Sequence, residues 1–73
     1  MLILYGTSAC HLCEIAAALL DAADVRYTEV DISDSDVLFE RYGITIPVLR
    51  HEDGRELNWP FDENALADFL NRA

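Results

Sequence analysis

At 73 residues the chain has room for one small domain and no second one, so residues 1–73 are expected to fold as a single unit. Apolar residues make up 52% of it and run along its whole length, which excludes a disordered tail. Fourteen acidic against five basic residues leave a formal charge of −9, which repels nucleic acid and anionic membranes and either favours a partner with a basic docking surface or, the charges being scattered, mainly aids solubility.

Before Gly6 the chain offers only Met1-Leu2-Ile3-Leu4-Tyr5, with no basic leader, long apolar stretch or cleavage pattern. A cytoplasmic monomer with no membrane contact is the expectation. Leu2-Ile3-Leu4-Tyr5 is too short for a helix and reads as a central strand buried on both faces. From Leu12, apolar residues fall at Leu12, Ile15, Ala16, Leu19, Leu20 and Ala23, the series of a helix with one core face. Val25 to Ile32 mixes β-branched, aromatic and charged residues and reads as a second, less buried strand, parallel to the first by a crossover. Ser33-Asp34-Ser35-Asp36 offers capping side chains and Gly43 a left-handed stop, so a short second helix fits residues 34–42. Ile44 to His51 is again strand-like. The Asp53-Gly54 turn signal then returns Glu56-Leu57-Asn58-Trp59 antiparallel as a hairpin, ended by Pro60. Asp62 can cap a last helix, read over Asn64 to Arg72, with Ala65, Leu66, Phe69 and Leu70 at helical spacing. The order is β-α-β-α-β-β-α, an α/β fold with a four-stranded mixed sheet and three helices.

The only two cysteines, Cys10 and Cys13, lie three residues apart between the first strand and the first helix. Residues at i and i+3 share a helical face, so the sulfurs can approach within bonding distance. The helix N-terminus stabilises a thiolate through its free N–H groups and positive dipole end. So small a loop restrains little unfolded-chain entropy, which makes redox chemistry or metal binding a better reading than stapling. A C-x-x-C after the first strand of a β-α-β unit is a thioredoxin-like redox signature. Independently, Pro47 in Thr45-Ile46-Pro47-Val48 has no donor to give a central strand, which points to a special turn or a cis peptide.

With Cys10-His11-Leu12-Cys13, Thr45-Ile46-Pro47 and a final helix starting near Asp62, the chain resembles a glutaredoxin-type member of the thioredoxin superfamily, in particular the short bacterial glutaredoxin-like domains. The resemblance implies a minimal thioredoxin fold and a thiol–disulfide oxidoreductase that reduces protein or low-molecular-weight disulfides. It implies that Cys10 is the exposed nucleophile and Cys13 the resolving thiol. It also implies that Pro47 is cis and faces the cysteine pair, and that the backbone of Ile46 holds the substrate. Asp62 is first a helix cap; the resemblance also allows it to contact the amino group of a glutathione-like ligand, but capping alone explains it. The electron donor would be glutathione or a reductase. Glutaredoxins commonly carry proline and an aromatic between the cysteines, a lysine three residues before the first, and a Gly-Gly pair before the last helix. Here stand His11 and Leu12, Thr7, and Asn58-Trp59-Pro60-Phe61. The departures at Thr7 and before the last helix remove a cationic contact and close backbone access, and the acidic field opposes an anionic tripeptide, so glutathione is disfavoured.

His11 is either an exposed side chain at a helix start or a cation that tunes Cys10. Tyr5, Tyr42 and Trp59 are expected in packing, Glu14 and His51 in solvent, and Asp31 at a strand end. Two other functions compete. A soft-metal carrier of copper type would use the two thiolates, but its β-α-β-β-α-β order ends on a strand. A redox-inactive binding module would keep the fold and leave the cysteines idle. No bound cofactor or metal is expected, since Cys10, Cys13, His11 and His51 lack four-ligand zinc spacing.

Overall fold

The run Leu2-Ile3-Leu4-Tyr5 forms strand β1 (Leu2–Gly6) in the middle of the sheet of the computed structural model, which describes residues 2–8 and 10–71. Its side chains alternate: Leu2 and Leu4 join a core under two helices, while Tyr5 and Ile3 join a second core on the opposite face. That burial on both sides is why an almost wholly apolar strand stands here.

Helix α1 (His11–Ala22) buries Cys13, Ala16 and Leu20. Leu12 and Ile15, expected on the core face, are instead 44% and 39% exposed. Cys13 packs against β1 and turns the helix by about one residue, so the buried stripe is 13, 16, 20 at the same period. The helix stops with Asp24 in the left-handed region at φ 58°, and the Val25 amide donates to the Leu20 carbonyl at 3.1 Å.

Strand β2 (Thr28–Asp31) is shorter than the expected 25–32, because Ile32–Asp34 close a 3-10 turn in which the Asp31 carboxylate accepts from the Ser33 amide and hydroxyl at 2.9 and 2.6 Å. Helix α2 (Asp36–Tyr42) begins later than expected, with the Ser35 hydroxyl accepting from the Leu38 amide as its cap. Gly43 is not a left-handed stop; its φ is −54°. Glycine fits there because a Cβ would meet the Phe39 carbonyl oxygen at 2.5 Å.

Strand β3 (Val48–His51) starts four residues later than the expected Ile44, since Thr45 and Ile46 turn their amides back to the Tyr42 carbonyl. Gly54, at φ 96°, makes the turn to β4 (Glu56–Asn58), which excludes Trp59. Helix α3 (Glu63–Asn71) follows, and the expected Arg72 end lies outside the described residues.

The sheet order is β2-β1-β3-β4, with β1 and β2 parallel and the other pairs antiparallel. Leu20, Leu66, Phe69 and Phe61 from the α1 and α3 side meet Leu4 and Leu49, while Tyr42 and Ile32 meet Tyr5 and Val48 on the other face. Tyr5 stacks on Tyr42 with ring centroids 4.5 Å apart. The register decides where the site lies. Gly6 faces Asp31, Tyr5 faces Val48, and Val48 faces Asn58, so the segments after β1, before β3 and after β4 all gather at one end of the sheet.

Candidate active site

At that end Cys10 is the N-cap of α1. Its backbone is extended (φ −100°, ψ 108°), and its Sγ accepts a hydrogen bond from the Cys13 amide at 3.1 Å. A sulfur therefore stands where serine or aspartate usually caps a helix, against N–H groups that favour a negative charge. Cys10 and Cys13 are joined as a disulfide with Cα atoms 5.2 Å apart. The two sulfurs differ in access: Cys10 is half-buried at the helix tip, whereas Cys13 is 8% exposed, one turn in. Beneath Cys13 lies Gly6, where a Cβ would come within 2.8 Å of the Cys13 sulfur.

Both cysteines open onto a cleft of about 550 Å³ between α1 and the β1–β2 edge. Leu4, Ala17 and Val30 supply apolar lining, and Glu14, Asp21, Glu29 and Asp31 line it with carboxylates and, among the described residues, no arginine. Ser33 holds the Asp31 carboxyl below its ordinary range through its hydroxyl and then its amide. Tyr27 donates to Asp21 at 3.1 Å, and its phenol is pushed up to about 12, by burial first and then by Asp21 and Glu29. The Asp31 end of that acidic wall is therefore charged at neutral pH.

The other residues singled out by sequence divide into two groups. Thr7 lines the cleft, and its carbonyl accepts from the Cys10 amide at 3.3 Å, so it shapes the loop. His11 is exposed beside the Glu14 carboxylate at 3.5 Å. Ile46 and Pro47 stand outside the cleft, at the same sheet end: the Ile46–Pro47 peptide is cis, Pro47 is fully buried and Ile46 packs into the Tyr5–Val48 core. Asp62 is also outside the cleft, and its Oδ1 accepts from the Ala65 amide at 2.8 Å as the cap of α3. Trp59 meets Phe61 edge to face, and the Trp59–Pro60 peptide is a second cis bond that sequence reasoning missed. Sequence reasoning also gave no role to Gly6, Glu29 and Asp21. Gly6 was legible as a small residue ending β1, but the carboxylates come together only through the parallel pairing of β1 with β2.

A β-α-β-α-β-β-α chain with a two-cysteine disulfide at the first helix start and a cis-proline entering the third strand defines a glutaredoxin-like member of the thioredoxin fold. The family described as Glutaredoxin-like domain (DUF836) matches residues 1–71, and the chain belongs to it. Among solved structures it is similar to target protein XcR50 from X. campestris, 42% identical, over 100% of this chain and 99% of that one, with a TM-score of 0.93. Protein Ne2328 from Nitrosomonas europaea is 26% identical over 93% of this chain and 87% of that one, at a TM-score of 0.78. The glutaredoxin grx-1 from Archaeoglobus fulgidus shares the fold, with a TM-score of 0.72 at 18% identity over 97% of this chain and 86% of that one. No curated protein matches the chain.

Proposed function

We propose that this protein is a cytoplasmic thiol–disulfide oxidoreductase whose Cys10–Cys13 pair cycles between dithiol and disulfide. The observation that carries the reading is the pair itself, bridged at the start of α1 with its first sulfur capping the helix beside an open cleft. In the reduced protein the Cys10 thiolate attacks one sulfur of a substrate disulfide, breaking that bond and expelling one substrate thiolate, which takes a proton from solvent. Cys13 then loses its proton and attacks Cys10 Sγ, displacing the second substrate thiol and leaving the Cys10–Cys13 disulfide. The substrate gains two electrons and the protein loses two. A reducing dithiol, or two molecules of a monothiol, restores the pair.

The substrate in this reading is a protein or small disulfide that carries neutral or positive groups near its sulfurs. The carboxylates of Glu14, Asp21, Glu29 and Asp31 along the cleft support that choice and weigh against glutathione, an anion, as donor. The soft-metal carrier has less support, because its element order ends on a strand and this chain ends its described fold on α3.

A redox titration with thiol trapping, run beside reduction of insulin and of a small mixed disulfide, tests the proposal. One intramolecular two-electron couple is expected, abolished by Cys10→Ser and by Cys13→Ser. A wild type that shows no couple, and reduces neither substrate faster than the double variant, would end it.

A further inference from the structure

Gly6 ends β1 opposite Asp31, and nothing in its backbone requires glycine, since among the described residues the only glycine with positive φ is Gly54. What requires it is space. A Cβ built on Gly6 would stand 2.8 Å from the Cys13 sulfur and 3.1 Å from the Cys13 Cβ, the first closer than such atoms approach. The sulfur of Cys13 thus lies on the bare backbone of β1, in the volume any other residue's side chain would fill.

We infer that Gly6 is a positioning residue that sets the dithiol–disulfide equilibrium, by leaving the site in which the bridged sulfur of Cys13 must sit. The inference rests on the proposed redox function and deepens it. In the disulfide the Cys13 sulfur is held by its bond to Cys10 and cannot turn away from β1. In the dithiol it is free to rotate about Cα–Cβ into another staggered position. A methyl group on residue 6 therefore disfavours the disulfide more than the dithiol, because only one of the two states can move the crowded atom. The remaining contact, with the Cys13 Cβ, is present in both states and cancels. The sign follows: a side chain at position 6 makes the protein a stronger oxidant and a weaker reductant.

The test equilibrates wild type and Gly6→Ala with glutathione buffers of graded ratio and reads the oxidised fraction by thiol trapping. The glutathione serves only as a redox reference. Gly6→Ala is expected to shift the equilibrium at least tenfold toward the dithiol, which for a two-electron couple is about 30 mV less negative. A folded Gly6→Ala protein whose equilibrium lies within twofold of wild type, or moves toward the disulfide, overturns the inference while leaving the redox function standing. A wild type without any couple removes the redox function itself, and the inference with it. Where Gly6→Ala does not fold, Gly6→Ala/Cys13→Ala decides. Recovery of a folded protein on removing the sulfur supports the crowding, and continued unfolding places the obstacle elsewhere and overturns it.

Discussion

Asp62 shows how one side chain can carry two explanations that chemistry separates. Its Oδ1 accepts from the Ala65 amide at 2.8 Å and its carbonyl from the Leu66 amide at 2.9 Å, so it satisfies donors that a helix start leaves open. A ligand role needs the negative charge, while a capping role needs only an acceptor oxygen, which asparagine also has. Asp62→Ala is therefore expected to lower stability by about 1 kcal/mol in urea unfolding. Asp62→Asn should retain most of that stability and the wild-type rate with every disulfide. A selective slowing of Asp62→Asn with glutathione disulfide would show that the carboxylate also meets ligand. The cysteines, the cis-proline and this cap were legible in sequence because each is a local device. The role of Gly6 was not, since it depends on a sulfur seven positions along the chain and on how α1 lies over β1.

Helix α3 has only nine residues and would be marginal by itself, so its neighbours must hold it. Besides burying Leu66 and Phe69, it is gripped by Arg55 of the β3–β4 hairpin. That guanidinium donates to the Phe69 carbonyl at 3.0 Å and to Asp53 at 2.8 Å, and lies 5.0 Å from the centre of the Phe69 ring. A cation at the carbonyl end of a helix opposes the helix dipole and stacks on an aromatic face at once. Arg55→Ala is expected to lower stability by about 1–2 kcal/mol, and Arg55→Lys to restore only part, lacking the planar fork. Hydrogen exchange should quicken in the last turn of α3 in Arg55→Ala. Unchanged protection there would show that packing alone holds the helix. Apolar spacing found α1 and α3, apolar and β-branched runs found β1, β2 and β3, and capping residues and the Asp53-Gly54 turn marked α2 and β4, since each of these signals is a property of its own segment. Spacing missed the rotation of α1 because Leu12 and Cys13 are equally apolar on paper, and only the contact of Cys13 with Gly6 chooses between them. The run read as β3 reached back to Ile44 because β-branched residues look alike in a strand and in the turn that Tyr42 closes.

The whole molecule carries −9, and all five of its Lys and Arg positions are arginines, of which Arg50 and Arg55 are paired with Glu56 and Asp53. Around the disulfide the long-range field and the cleft lining have the same sign. Small disulfides that differ mainly in charge should therefore react at different rates. At low ionic strength, reduction of cystamine, a cation, is expected to outpace that of glutathione disulfide, an anion, by about tenfold or more in second-order rate. The ratio should shrink toward unity as salt shortens the screening length to a few ångströms. Equal rates at low salt, or a preference for the anion, would remove the charge argument for the substrate class.

The sequence by itself determined the element order, the place of the C-x-x-C at the start of α1 and the proline at the mouth of β3, because those reside in spacing and residue type within a few positions. Tertiary structure alone decided that Gly6 yields its side-chain space to Cys13 and that Glu29 and Asp31 of β2 join Glu14 and Asp21 of α1 along one cleft. Those relations come from pairing and packing between distant segments, and no local pattern records which neighbours a strand register will bring together.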